Sequence, residues 1–175
     1  MKRLGLVVLA LVATGTLVVA AESLRIVPIS TGDQVVVSVE LADGYNDQVR
    51  QAIASGLRTS FTYSIELRMI VPGWVDRTVA TSIVALSDQY DNLTRRHSLS
   101  RVIDGREDDK LVTEDDGVAR QWLTTLTRLP IIRTSRLDPA RDYYVRISAQ
   151  ARPRGGSLIG WASAVTGQAK FTLIP

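Results

Sequence analysis

The stretch TSFTYSIELRMIV, Thr59 to Val71, decides the fold of this chain. Apolar residues alternate strictly with polar ones along it, starting at Phe61. A period of two residues predicts a strand with one buried and one solvated face, which is typical of antiparallel sheets. Pro72 and Gly73 then predict a turn, after which the segment from Trp74 to Tyr90 predicts a second long strand that pairs with the first as a hairpin.

Alternation outside this hairpin predicts further strands. The expected segments are Gln34–Leu41, Tyr90–Ile103, a short one at Lys110–Thr113, Tyr143–Ala151 and Ala169–Ile174. A polar corner at Ser87–Asn92 is expected to lead into the strand at Tyr90–Ile103, and a loop at Asp104 and Gly105 is expected to end it. In the strand from Trp74, one face is expected to carry Val75, Arg77, Val79, Thr81, Ile83 and Ala85.

Two stretches have helical periodicity. In NDQVRQAIASGL, Asn46 is the expected N-cap and Gly56 the stop signal, and the apolar stripe comprises Val49, Ala52, Ile53 and Leu57. In TEDDGVARQWLTTLTR, Thr113 is the expected N-cap, acidic residues fill the first turn, and Arg128 lies at the end. The stripe of this second helix comprises Val118, Ala119, Trp122, Leu123 and Leu126. Both helices are expected as amphipathic covers over a sheet, at about residues 46–56 and 114–128.

These patterns together predict a mainly β chain, folded as an antiparallel immunoglobulin-like β-sandwich with two short amphipathic covering helices. The sequence LDPARDYYVRI supports this fold, because its Leu137, Pro139 and Tyr143 resemble the leucine, proline and tyrosine corner of fibronectin type III and related sandwiches. A chain of 175 residues has room for one ordinary domain with a real core. A single domain over residues 22–175 is therefore expected.

The first residues are typical of a segment that directs export. Lys2 and Arg3 precede an uncharged stretch from Leu4 to Ala21. The small residues Val19 and Ala21 predict cleavage after residue 21, and the alternative is that residues 1–21 remain as a membrane anchor. Both interpretations place the rest of the chain outside the cytoplasm.

The composition excludes several functions. Removal of Lys2 and Arg3 lowers the formal net charge from +3 to +1, and so neutral a domain is a poor nucleic-acid binder. The chain has no cysteine, so disulfides, thiolate nucleophiles and sulfur metal ligands are all absent. One histidine cannot supply the usual zinc ligand set, and no motif for a cofactor is present.

The segment YDNLTRRHSLSR, Tyr90 to Arg101, contains the one histidine, His97, close to three arginines. On a strand, His97 shares a face with Arg95 and Arg101, and such cations lower the proton affinity of an imidazole. A neutral imidazole suits a general base, although a lone histidine on a polar strand is more often structural. A hydrolase would also need a nucleophile and an acid such as Asp91, and no Gly-x-Ser-x-Gly elbow is present.

Three other features have ordinary structural explanations. The acidic run from Asp104 to Asp116 offers oxygen ligands for calcium, but it lacks the spacing of an EF-hand loop and part of it suits the start of a helix. The loop RPRGGSLIG, Arg152 to Gly160, is expected as a hairpin tip. Trp74, Trp122 and Trp161 are expected to pack in the core or in hairpins, and an exposed Trp74 would suit a binding rim.

The segment from Ala54 to Leu99 resembles a bacterial envelope family catalogued as domain of unknown function 4390. The shared pattern is ASGLRTSFTYSIELRM, a turn with Trp74, and DQYDNLTRRHSL, followed by the Trp122 helix and the corner at residues 137–146. The resemblance implies an exported or membrane-tethered protein with no known activity. It places His97 where relatives often carry an aromatic residue, which argues against an obligatory histidine base.

The same resemblance implies an accessory role in envelope sensing, because some relatives are encoded near sensor kinases of the nitrogen-regulation type. The expected function is a non-enzymatic binding or interaction module, periplasmic or extracytoplasmic. Its candidate interaction surface comprises Arg95, Arg96, His97, Arg101 and Trp74. The expected partner is an envelope protein, such as the extracytoplasmic region of a sensor kinase, or anionic lipid. A hydrolase using His97 and a carrier of lipids or small ligands remain as alternatives.

Overall fold

A computed structural model of the chain describes residues 23–153 and 164–173. Its elements are β1 (Leu24–Thr31), β2 (Gln34–Leu41), α1 (Asp47–Ala54), β3 (Thr59–Met69), β4 (Arg77–Asp91), β5 (Arg96–Ile103), β6 (Arg106–Thr113), α2 (Asp116–Thr124), β7 (Thr125–Arg133), β8 (Tyr143–Pro153) and β9 (Val165–Phe171). The predicted export segment, most of the loop at 152–160 and Trp161 lie outside the described residues. Within those residues, no helix is long and apolar enough to cross a membrane.

The strands form two antiparallel sheets. The small sheet has the order β1-β2-β7, and the large sheet has the order β6-β5-β4-β3-β8-β9. In immunoglobulin-like terms, β1, β2 and β7 take the places of strands A, B and E, while β3, β8 and β9 take those of C, F and G. The remaining strands, β4 to β6, extend the large sheet beyond strand C. The predicted immunoglobulin-like β-sandwich is confirmed.

Strands β2 and β3 supply the centre of the core from opposite sheets. Strand β3 completely buries four apolar side chains at every second position, and these are Phe61, Tyr63, Ile65 and Leu67. Strand β2 contributes Val35, Val37, Val39 and Leu41 from the small sheet. Full burial of an aliphatic or aromatic side chain contributes about 1.5–3 kcal/mol, so the predicted alternation of β3 contributes much of the fold's stability.

The predicted tyrosine corner is formed at the start of β8. The Tyr143 hydroxyl accepts a hydrogen bond from the backbone N–H of Asp138 at 2.9 Å and donates one to its carbonyl at 3.3 Å. Leu137 is buried beside it. The segment after β7 crosses from the small sheet to the large one, and the corner fixes this segment to Tyr143, the first residue of β8.

The turn between β4 and β5 comes later than predicted. Strand β4 continues to Asp91, and the turn comprises residues 92–95 instead of Ser87–Asn92. The Asp91 side chain accepts hydrogen bonds from the backbone N–H groups two and three residues on, at 2.8 and 3.2 Å, and this local pairing sets the turn. Tyr90 therefore belongs to β4. The buried face of β4 carries Ser82, Val84, Leu86 and Asp88, whereas Ile83 is exposed.

Helix α1 matches its prediction at both ends. The Asn46 side chain accepts a hydrogen bond from the backbone N–H of Val49 at 3.0 Å, as an N-cap does. Gly56 follows the helix with a φ of 79°, in the left-handed region that glycine adopts without strain. Leu57, predicted on the apolar stripe, is instead exposed because it lies beyond the helix.

Helix α2 is shorter than predicted. Its N-cap is Asp115, not Thr113, because the Asp115 side chain accepts from the backbone N–H groups two and three residues on. The helix ends at Thr124 instead of residue 128. A run of β-branched threonines begins at Thr124, and such residues favour a strand. Leu126 is buried, but as a residue of β7 opposite Val39 of β2.

The two helices cover the part of the large sheet that the small sheet leaves open. Helix α1 joins β2 to β3 and α2 joins β6 to β7, so both cross between the sheets. Both pack against β4, and α2 also packs against β5. The Tyr63 hydroxyl fastens α2 to the core by donating a hydrogen bond to the Leu123 carbonyl at 2.7 Å.

Replacing Tyr63 with phenylalanine is expected to lower the free energy of unfolding by about 1–3 kcal/mol, because the Leu123 carbonyl would stay buried without a partner. Urea denaturation followed by circular dichroism measures this change. Tyr90→Phe is the matched control, since the Tyr90 hydroxyl has no hydrogen bond within the described residues. Equal losses in the two variants would contradict a special role for the Tyr63 hydroxyl.

Candidate functional site

His97 lies in the layer between the large sheet and the helices. It is opposite Tyr90 of β4 and faces the same side as Leu99, whereas the neighbouring Arg96 and Ser98 face solvent. Only 2% of the histidine is exposed. The prediction that His97 belongs to an exposed interaction surface is therefore wrong, because the core face of β5 is covered by helices at this point.

Two carboxylates hold the His97 ring. Its Nδ1 is 2.8 Å from Oδ2 of Asp88, and its Nε2 is 2.8 Å from Oδ1 of Asp116. A carboxylate accepts hydrogen bonds, so both contacts are satisfied together when both ring nitrogens carry hydrogens. The geometry is thus that of an imidazole ring held between two acids, and the charged groups that contact the ring are aspartates instead of the arginines on its own strand.

The two acids differ in their surroundings. Asp88 is completely buried, and its Oδ1 has no hydrogen-bond partner within the described residues. Burial raises the pKa of Asp88, and the hydrogen bond and charge of His97 offset part of that effect. The Asp116 side chain is 87% exposed, so it covers the outer nitrogen of the ring from the solvent side.

Asp91, predicted as the acid of a hydrolase, does not contact His97. It lies at the end of β4 opposite Arg96, on the other face of the sheet, and it binds the backbone of the turn. Those hydrogen bonds lower the pKa of Asp91. The sequence did carry a signal for Asp88, since this acid continues the apolar stripe of Val84 and Leu86.

A cleft of about 240 Å³ opens beside His97, between α1, β4 and the start of α2. Its walls are Tyr45, Arg50, Ile53, Ala54, Tyr90, His97 and Asp116. The Tyr90 ring contacts the His97 ring with a centroid distance of 4.7 Å. Burial and the charges of Asp88 and Asp116 raise the pKa of Tyr45, which keeps its hydroxyl protonated. The cleft therefore combines hydrogen-bond donors with apolar walls.

The predicted arginine surface is largely neutralised by carboxylates of the same chain. Arg96 pairs with Glu114 at 2.9 Å, and Arg101 contacts Asp108 and Asp109 at 2.6 and 3.1 Å. The Arg101 guanidinium also lies over the Trp122 ring, 5.3 Å from its centroid. These pairs form because β6, which carries the acidic run, is the neighbour of β5.

The remaining acids of that run also have local partners. Asp104 binds the backbone N–H of Ile83 at 2.7 Å, and Glu107 pairs with Lys110 at 2.8 Å. Asp115 caps α2, and Asp116 binds His97, as described above. Across residues 23–153 and 164–173, no group of three or more histidine, cysteine or acidic side chains is placed to hold a metal ion.

Trp74 projects from the turn between β3 and β4. Its exposed fraction is 81%, and that of Val75 is 74%. Residues 71–76, called the hairpin tip below, lie at one end of β4, whereas the turn containing Arg95 lies at the other end. The five residues of the predicted interaction surface therefore do not come together in one place. Arg95 itself is exposed and has a φ of 56°.

Polar contacts hold the hairpin tip in shape. The Asp76 side chain accepts hydrogen bonds from the Val71 backbone N–H at 3.3 Å and from the Tyr144 hydroxyl at 2.9 Å. The Arg68 side chain donates to the Asp76 backbone carbonyl at 2.8 Å, and the Trp74 backbone N–H donates to the Val71 carbonyl at 3.1 Å. The two exposed apolar side chains are therefore carried by an ordered turn.

The family model of a domain of unknown function, DUF4390, matches residues 20–153 of the chain. The match covers both helices, eight of the strands above, the cleft and the hairpin tip. The chain therefore belongs to this family, as its sequence pattern indicated. Comparison with curated proteins and with solved structures gave no match.

Replacing His97 with alanine is expected to lower the free energy of unfolding by about 3–5 kcal/mol, because Asp88 would be left buried without its cation. Adding Asp88→Asn to this variant is expected to recover part of the loss, since a neutral amide needs no counter-charge. Chemical denaturation at neutral pH measures both effects.

Asp116→Ala provides the comparison, because it removes the exposed partner of the same ring. Its loss is expected to stay below about 1 kcal/mol. If His97→Ala costs no more than Asp116→Ala, the buried ion pair does not have the structural role described above.

Proposed function

We propose that this protein is a non-enzymatic interaction module of the bacterial envelope, and that it binds another envelope protein through the hairpin tip. The observation that carries the proposal is the 81% exposure of Trp74 on an ordered turn. Tryptophan is enriched among the residues that dominate binding energy at interfaces, and an exposed apolar cluster generally marks a contact site. Val75 extends the apolar surface beside it.

The order of the tip supports this proposal further. A partner that meets a preformed turn loses less conformational entropy than one that must order a loop. The contacts of Asp76 with Tyr144 and Arg68 supply that order without covering Trp74.

The electrostatics favour a protein partner over anionic lipid. Arg96 and Arg101 are paired with carboxylates of the same hairpin, so their charges are largely compensated at long range. They also lie away from Trp74, towards the opposite end of β4. Beside the tip, Arg68 pairs with Glu66 and Arg77 is next to Asp76, so these charges offset one another and do not form the cluster of cations that strengthens attraction to anionic headgroups.

The surroundings of His97 support a non-enzymatic role. A general base needs an unprotonated ring nitrogen directed at the reacting proton, and here both ring nitrogens face carboxylate oxygens, which can only accept hydrogen bonds. The cleft walls offer neither serine nor threonine as a nucleophile. An accessory role in envelope sensing, with the extracytoplasmic region of a sensor kinase as the partner, is part of the same proposal.

Site-specific photocrosslinking tests the hairpin tip directly. A photoreactive phenylalanine analogue at position 74 of the full chain, irradiated in native envelopes, is expected to give one discrete adduct with a protein. Position 93 is the matched control, because Leu93 is 95% exposed in the turn at the other end of β4.

Trp74→Ala should prevent co-purification of the partner found in this way, whereas Leu93→Ala should not. The same adducts from both positions, or none from position 74, would contradict the proposal. Cosedimentation of the chain with anionic vesicles that depends on Trp74 would replace the protein partner by a lipid surface.

A further inference from the structure

In the cleft beside His97, an exposed carboxylate covers a buried ring nitrogen. The outer ring nitrogen of a histidine that is 2% exposed is bound by Asp116, whose side chain is 87% exposed. This contact is the one hydrogen bond of the Asp116 side chain within the described residues. Asp115 already caps the helix, so α2 does not need Asp116 for that purpose. A carboxylate is thus held over a buried donor by a single contact.

We propose that the cleft is a binding site for a small organic carboxylate, whose carboxylate group takes the place of Asp116 on the His97 ring. The inner nitrogen would stay bound to Asp88, which fixes the ring and its two hydrogens. The Nε2–H would then point into the cleft as a charge-assisted donor. Asp116 would turn outward into solvent, where its side chain already lies.

A second cation in the wall suits the same ligand. Arg50 lines the cleft and pairs with Asp47 one helical turn away. Both members of that pair are more than half exposed, and an exposed ion pair contributes little stability. The guanidinium can therefore turn towards a carboxylate in the cleft at low cost.

The rest of the wall sets the size and the character of the ligand. Tyr45, Tyr90 and Ile53 offer ring faces and an aliphatic side chain. A volume of about 240 Å³ is below the roughly 300–1,000 Å³ of typical ligand sites, so the ligand is small. An aromatic or short branched carboxylate meets these conditions. An amine of the same size would instead face the Arg50 guanidinium and the Nε2–H donor of His97.

Titration of the full chain with sodium benzoate, at constant ionic strength set by chloride, tests this assignment. Saturable shifts of the backbone amide signals of Ile53 and Ala54 in a two-dimensional NMR spectrum are expected. Benzylamine, of matched size and opposite charge, is expected to give none. Saturable shifts with benzylamine alone, or with neither compound, would overturn the proposal.

Two variants provide the sharper test. Asp116→Ala removes the competing carboxylate and is expected to tighten benzoate binding by about threefold to fivefold, the scale of an exposed ion pair. Arg50→Ala is expected to weaken it by a similar factor. A purely structural Asp116 would leave the affinity unchanged or reduce it, and either result would overturn the displacement.

Asp33→Ala is the matched control for charge, since it removes one exposed aspartate from the β1–β2 turn and leaves the cleft intact. Equal tightening by Asp33→Ala and Asp116→Ala would assign the effect to net charge and contradict direct competition. Neither outcome bears on the hairpin tip, because Trp74 is absent from the cleft walls.

Discussion

One face of β3 must be kept from water, and the rest of the structure depends on that requirement. Its four fully buried apolar side chains face a small sheet of three strands, whereas β3 belongs to a sheet of six. The small sheet cannot cover so wide a surface, so the chain uses the two helices that cross between the sheets to close the remainder. The layer beneath the helices includes buried polar residues as well as apolar ones. The Asp88–His97 pair lies in that layer, and the cleft opens at its margin.

The sequence was most informative where one physical demand acted alone. Strands β3 and β8 alternate cleanly because each has one buried face, β2 does so except at Val36, and all three were predicted close to their bounds. The predicted boundary between α2 and β7 was wrong because Leu126 fits both the helical stripe and the alternation of a strand. In the structure, Leu126 pairs with Val39 of β2 and so belongs to the strand. Strand β1 was not predicted, since LRIVPIST contains Pro28 and an edge strand needs little burial. The strand β6 was predicted only over its last four residues, because its charged first half looks like a loop.

The sequence predicted part of the site and missed another part. Alternation could place His97 on a face of its strand, but it could not show what covers that face. Asp88 and Asp116 lie nine and nineteen residues away in sequence, and they reach His97 only through strand pairing and helix packing. The arginines on the same segment were noticed because they are adjacent in sequence, yet it is the two distant acids that contact the ring. Trp74 was expected to pack in the core or in a hairpin, with a binding rim as the alternative if it were exposed; it is exposed, at the opposite end of β4 from those arginines.

The acidic run of β6 has a consequence for the behaviour of the free protein. Strand β6 is an edge of the large sheet, and nearly all of its residues are exposed. An open edge is a template for strand addition by another chain, and Leu111 and Val112 would favour it. Charged residues at 106–110 precede them, and charges along an edge oppose edge-to-edge pairing. The carboxylates that compensate Arg101 thereby also protect a domain without disulfides against aggregation.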